Sequence, residues 1–170
     1  MTGPVGIGNQ AAGTMVGKAG KYLTFTLGQE EYGIAILTVK EIIGMMPITS
    51  VPRTPNFLKG VINLRGKVIP VVDLRVKFSM KSIPYSDRTC IIVVEIKPGP
   101  ETMLMGIVVD AVSEVVTIQE DETEEVPDFG TSLDTHYILG MAKVGTHVMI
   151  LLDIDRVLTA DECTQAKNFS

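Results

Sequence analysis

Part of this chain is written twice, and that repeat limits the possible folds more than any other feature. Residues 33–43 (GIAILTVKEII) align with 106–116 (GIVVDAVSEVV) at an offset of 73, with identities at Gly33/Gly106, Ile34/Ile107, Val39/Val112 and Glu41/Glu114. Residues 57–74 align with 137–154 at an offset of 80, keeping Gly60/Gly140, Val68/Val148 and Asp73/Asp153. The two windows occur in the same order, and the extra seven residues fall around the acidic stretch Glu120–Glu125. This is the signature of a duplicated unit, here roughly 60 to 70 residues long.

Within each unit the apolar residues alternate as in half-buried strands. Leu23, Phe25 and Leu27 alternate with Thr24 and Thr26, and Gly28-Gln29-Glu30-Glu31 turns the chain into Tyr32–Ile36. Further β-rich runs are Val39–Ile43, Val61–Leu64, Val68–Val72, Cys90–Ile96, Leu104–Val109, Val112–Ile118 and Val148–Leu152. Helix is sparse: a turn near Pro55–Leu58, another after Asp73, and a short terminal helix from about Asp153. About five short strands per unit are too few for a two-layer sandwich. The economical solution is a small closed barrel, which removes exposed strand edges. The expected fold is therefore all-β, with two packed barrels, one at about 21–87 and the other at about 88–158, the exact exchange of strands between them left open. The Gly-rich residues 1–20 are expected to form a mobile tail and 159–170 a second tail. Pro70, inside a strand run, predicts an edge position or a bulge.

Composition excludes several functions. No apolar run reaches the length of a membrane span, and no basic region followed by an apolar stretch opens the chain. Cys90 and Cys163 are the only cysteines, which predicts a reducing, cytoplasmic setting with no disulfide framework. A net charge of −5, 5% aromatics and no Trp count against a ligand- or nucleic-acid-binding small barrel, one of two rival readings beside an enzyme, and against an anionic-membrane binder. The charge is uneven: residues 53–88 carry eight Lys/Arg against two acids, and residues 95–128 carry ten acids against Lys97 alone. Either folding interleaves these segments and the asymmetry disappears, or the body presents two electrically different faces.

Enzyme chemistry finds no foothold. His136 and His147 have no metal-type spacing, and there is no nucleophile elbow, P-loop or dinucleotide-binding turn. The stretch Glu120–Glu125 lacks the spaced ligands and turning Gly of a calcium loop. Asp73 and Asp153 follow aliphatic runs and precede helical turns, where an N-cap belongs. No catalytic residue, metal or cofactor is expected.

The repeat also shows where the halves differ. Asn63-Leu64-Arg65-Gly66 corresponds to Lys143-Val144-Gly145-Thr146, while the flanking strands keep their pattern. Gly66 can supply a positive φ and Asn63 can bond the local backbone. Arg65 has no such turn role. It can fork onto a carboxylate, and Glu41 of the same unit is the candidate.

The string Gly60-Val61-Ile62-Asn63-Leu64-Arg65-Gly66-Lys67-Val68-Ile69-Pro70-Val71-Val72-Asp73-Leu74-Arg75 closely resembles the signature of the CheW family of coupling proteins. So do Tyr32-Gly33-Ile34, Val39-Lys40-Glu41-Ile42, Pro52-Arg53-Thr54-Pro55 and Gly106-Ile107-Val108-Val109-Asp110, over about 21–158. The resemblance implies two SH3-like five-stranded barrels. It also implies a non-enzymatic scaffold, monomeric when free, that bridges methyl-accepting chemoreceptor tips and the regulatory domain of the chemotaxis histidine kinase. Such a scaffold reaches the membrane only through receptors. By the same likeness Val39, Glu41, Ile42, Asn63, Arg65 and Val109 would line or orient a receptor-facing groove near the barrel junction, and Gly60 would neighbour the kinase-binding surface.

Overall fold

A computed structural model describes residues 19–125, 137–158 and 162. Eleven strands are formed among them: β1 (Gly20–Leu27), β2 (Glu30–Ala35), β3 (Val39–Gly44), β4 (Leu58–Leu64), β5 (Lys67–Asp73), β6 (Cys90–Ile96), β7 (Met103–Val109), β8 (Ala111–Ile118), β9 (Thr123–Glu124), β10 (Ile138–Val144) and β11 (His147–Leu152). The α1 turn, Leu74–Lys77, follows β5. The predicted runs fall on strands, except that Ile36 at the end of one of them begins a 3-10 turn. β9 and β10 come in addition, and the first turn is only the two residues Gly28–Gln29, because β2 begins at Glu30. Pro55–Leu58 is a hydrogen-bonded turn, and at Asp153 the chain enters a short 3-10 turn over Ile154–Arg156. The expected first tail (apart from Ala19 and Gly20), His136, and most of the chain beyond 158 lie outside the described residues.

The strands form two sheets, in the orders β8-β1-β2-β11-β10-β9 and β3-β6-β7-β5-β4. Each closes in the same way. In the second, the chain runs on from β3 to Thr49, which exchanges both backbone hydrogen bonds with Val61 of β4 (2.8 and 2.9 Å). In the first, the chain runs on from β8 to β9, which pairs with β10. Through the repeat offsets, β3, β6, β7, β5 and β4 correspond in order to β8, β1, β2, β11 and β10. The two barrels therefore share one topology.

They do not, however, divide the chain at 87/88. Each barrel takes its first hairpin from one repeat and its remaining strands from the other. The connectors give the physical reason. Had β1–β2 stayed in its own repeat's barrel, β2 would run parallel to β3. A parallel return needs a crossover of about a dozen or more residues. Only Ile36–Thr38 link β2 to β3, and only Asp110 links β7 to β8. With connectors this short, the chain must pass straight into the other barrel. Fragments 1–87 and 88–170 are accordingly expected to show no cooperative melt alone and to regain one when mixed. A cooperative melt from either fragment alone would contradict the exchange.

Strand alternation sorts the core into three groups. Ile62, Ile69, Val71, Ile91, Val93 and Val108 fill one barrel, and Tyr22, Ile118, Ala142, Met149 and Leu151 fill the other. The largest cluster lies between the barrels and includes Leu23, Phe25, Leu27, Ile92, Val94, Ile96, Ile107 and Val109. β6 is thus buried on both faces over most of its length, which explains the apolar run Cys90–Val94. Gly33 and Gly106 are identical in the repeat for a packing reason. A Cβ would lie 2.9 Å from Met149 Sδ at the first and 2.8 Å from Ile91 Cγ2 at the second.

Pro70 proves not to be at an edge: β5 is an interior strand between β4 and β7. Its partner across the ladder, Val61, gives both backbone groups to Thr49, so the Val61/Pro70 pair is not a hydrogen-bonded one. Pairing with β7 begins only at Val71, so the missing N–H breaks no ladder bond. The associated bulge sits in β4, between Leu58 and Gly60.

Candidate functional site

The β4–β5 hairpin has a two-residue turn whose central residues both lie at positive φ, Arg65 at 52° and Gly66 at 88°. That is the pattern of a type I′ turn, which favours Asn or Asp before Gly. The expectation that Arg65 has no part in the turn is therefore corrected. It occupies a left-handed position that costs a non-glycine residue energy. In the other repeat Gly145 takes the first position at φ 63° and Thr146 is not at positive φ, the φ pattern of a type II′ turn. Asn63 acts as expected: its Oδ1 accepts from Gly66 N at 2.9 Å.

Held there, Arg65 forks onto Glu41 of β3. Nη1 donates to Oε2 at 3.1 Å and Nη2 to Oε1 in a second, shorter contact. Both side chains stand partly in solvent, Arg65 the more so. The Arg65 hydrogen bond, aided by the opposite charge, holds the Glu41 carboxyl below its usual range against a smaller opposing effect of desolvation. The pair overhangs an open cleft of about 750 Å³ whose apolar floor includes Ile69, Val93 and Leu104. A second ion pair, Lys40–Glu95 (3.3 Å), stands on its rim. The counterpart of Glu41, Glu114, has no ion pair among the described residues. There Lys143 bonds Glu124 at 2.6 Å instead.

The predicted site residues do not form one patch. Glu41, Asn63 and Arg65 gather at the barrel mouth. Ile42, next to Glu41 on a strand, points to the opposite face and is 44% exposed. Val39 is half-buried against the inter-barrel core, and Val109 lies inside it at 1% exposure. Val109 can therefore support a surface but cannot touch a partner. Gly60 is also buried, at φ 143°, with Thr49 packed directly over it. Having no Cβ there lets Thr49 close against β4.

Asp73 and Asp153 are N-caps, accepting from Arg75 N (3.0 Å) and Asp155 N (3.1 Å). His147 opens β11 on the exposed side.

The residue reading missed a clasp between the barrels. Arg75 of α1 donates from Nε to Asp110 Oδ1 (2.8 Å) and from Nη2 to Oδ2 (2.6 Å), and Gly28 N donates to the same Oδ2 (2.7 Å). A signal was available, since Arg75 aligns with Asp155 and Asp110 with Leu37, the kind of asymmetry that singled out Arg65. Desolvation pushes the Asp110 carboxyl up, but bonds from Arg75 and Gly28 and the charge of Arg75 outweigh it, and the net shift is down. A depressed carboxyl pKa gives stability that is present above the unfolded value, near 3.9, and lost as pH falls through the folded value. Acid melts should show this loss below about pH 4. Asp110→Asn should remove that part of the pH dependence and lower stability by about 2 kcal/mol near neutrality, as a half-buried charge pair is broken.

A duplicated pair of closed small barrels that exchange hairpins defines an all-β, double-barrel class of protein. The CheW-like domain family matches residues 21–162. The chain is 40% identical to the chemotaxis protein CheW of Klebsiella aerogenes over 94% of its own length and 93% of that protein. It is 31% identical to the chemotaxis protein CheW of Rhizobium meliloti over 82% of its length and 88% of that protein. The crystal structure of the scaffolding protein TtCheW from Thermoanaerobacter tengcongensis superposes with a TM-score of 0.73 at 37% identity, covering 82% of this chain and 92% of that one. The chain belongs to the CheW-like family, and its role is that of a chemotaxis scaffold or adaptor. No helix among the described residues is long and apolar enough to cross a membrane.

Proposed function

We propose that this protein couples chemoreceptor cytoplasmic tips to the chemotaxis histidine kinase by contact alone, and that the Arg65–Glu41 fork orients the receptor-facing surface. The observation that carries the reading is the Arg65 backbone. A turn that favours Asn-Gly holds an arginine at φ 52°, with its guanidinium spread on a carboxylate at a cleft mouth. A local cost kept in one repeat and absent from the other is a mark of function rather than of folding.

Kinase contacts would fall on exposed apolar strand positions. Ile42 (44% exposed) and Val68 (42%) in one barrel are repeat equivalents of Val115 (49%) and Val148 (51%) in the other. Each barrel thus offers the same pair, which suits a kinase regulatory domain of similar duplicated architecture. The test is co-sedimentation of this protein with receptor-containing membranes and kinase. Kinase activity should rise only when all three are present, and activation without this protein would defeat the proposal.

A further inference from the structure

We infer a second docking surface, distinct from the Arg65 cleft, that receives an acidic amphipathic segment of a partner protein. It is a cleft of about 320 Å³ on the other side of the β4–β5 barrel, walled by Ile48, Ile83, Pro84 and Tyr85, with Lys59 of β4 at its border. It shares no lining residue with the cleft beneath Arg65.

Two observations carry this inference. The first is that an exposed apolar loop is pinned in place. Ile83 is 40% exposed and Tyr85 42%. Yet Arg75 Nη1 holds the Lys81 carbonyl at 2.9 Å, and the Tyr85 hydroxyl donates to Oδ2 of the buried Asp73 at 3.1 Å. On the far side Ser86 N donates to Thr89 Oγ1 at 2.8 Å. The loop is thus presented as a fixed ridge, and a preorganised apolar ridge lowers the ordering cost of binding.

The second observation is charge. Folding only partly cancels the basic excess of residues 53–88. Arg65, Arg75 and Lys77 find carboxylates in Glu41, Asp110 and Glu162. Lys59 has no ion pair among the described residues. In the chain, Lys81 precedes the lining residue Ser82, and Arg53 and Arg88 follow Ser50 and Tyr85 by three residues; none has an ion pair among the described residues, and Asp87 is the one acid in these two stretches. An apolar wall with Lys59 in its lining, set in stretches of chain with a net excess of cations, fits a segment with apolar anchors and carboxylates.

The test uses the full chain, isotope-labelled for amide spectra, and two fluorescent helical peptides with one leucine face each, their polar faces all Glu or all Lys. The Glu peptide should bind about tenfold or more tighter at low salt and shift the amides of Ser50, Lys59 and Ser82. Lys59→Glu and Ile83→Ser should each weaken it about tenfold with thermal melts unchanged, and Arg65→Glu should leave it intact. Equal binding of both peptides, or shifts centred on Arg65 and Glu41, would overturn the inference. Indifference to Ile83→Ser together with competition by an RNA oligonucleotide would also overturn it, pointing to a general polyanion site.

Discussion

Gly60→Ala should lower the melting temperature by about 10 °C, although it adds one methyl group. A Cβ there would lie 2.0 Å from the Thr49 carbonyl oxygen and 2.7 Å from its carbon, both backbone atoms that no side-chain rotation can move. The residue also sits at φ 143°, where an L side chain is strained in any case. Strain and overpacking each cost about 1–3 kcal/mol. At about 2–4 °C per kcal/mol for a chain of this size, the sum gives a shift of that order. The barrel's closure is what suffers, because Thr49 must withdraw from Val61 to make room. Gly66→Ala is the control. It has a positive φ of 88° but nothing within 4 Å of a Cβ, so it should cost strain alone. Equal shifts for the two variants would show that closure at Thr49 is not what Gly60 protects.

Arg65→Glu should abolish most coupling and leave folding almost untouched. The substitution sets two carboxylates against each other at the cleft mouth. Apparent affinity in co-sedimentation should fall by about tenfold or more. The melting temperature should move by no more than about 2 °C, since both side chains are solvated. The reversed pair, Arg65→Glu with Glu41→Arg, restores the attraction but not the donor's position. Recovery of coupling would mean that the pair shapes the surface; no recovery would mean that the guanidinium itself meets the partner. Arg65→Gly separates the backbone from the side chain: relieving the left-handed residue should raise the melting temperature by a few degrees while coupling is still lost. An Arg65→Glu protein that melts far earlier yet binds normally when folded would make the pair structural and refute its assigned role.

The legible parts of this site were those that depend on local chemistry or on comparing the repeats. The Asn63 turn bond, the two Asp N-caps and the fork from Arg65 to Glu41 are all present. Val109, Gly60 and Ile42 were harder to place, for a common reason. A strand's period of two says that neighbours face opposite ways but not which face another barrel covers. Val109 turned inward because its strand is sandwiched between the barrels, and Gly60 because a distant segment crosses it. The Arg75–Asp110 clasp joins residues 35 apart that meet only once the barrels have exchanged hairpins.

The sequence alone determined the all-β class, the duplication, nearly every strand and the turn roles of Asn63 and Gly66, because periodicity and turn chemistry act over a few neighbouring residues. Only the tertiary structure decided which repeat completes which barrel. The repeats are nearly interchangeable as strand sets, so apolar pattern cannot choose between a barrel closed within one repeat and one closed across both. Three residues between β2 and β3, and one between β7 and β8, make that choice, because so short a connector cannot carry a strand back parallel to itself.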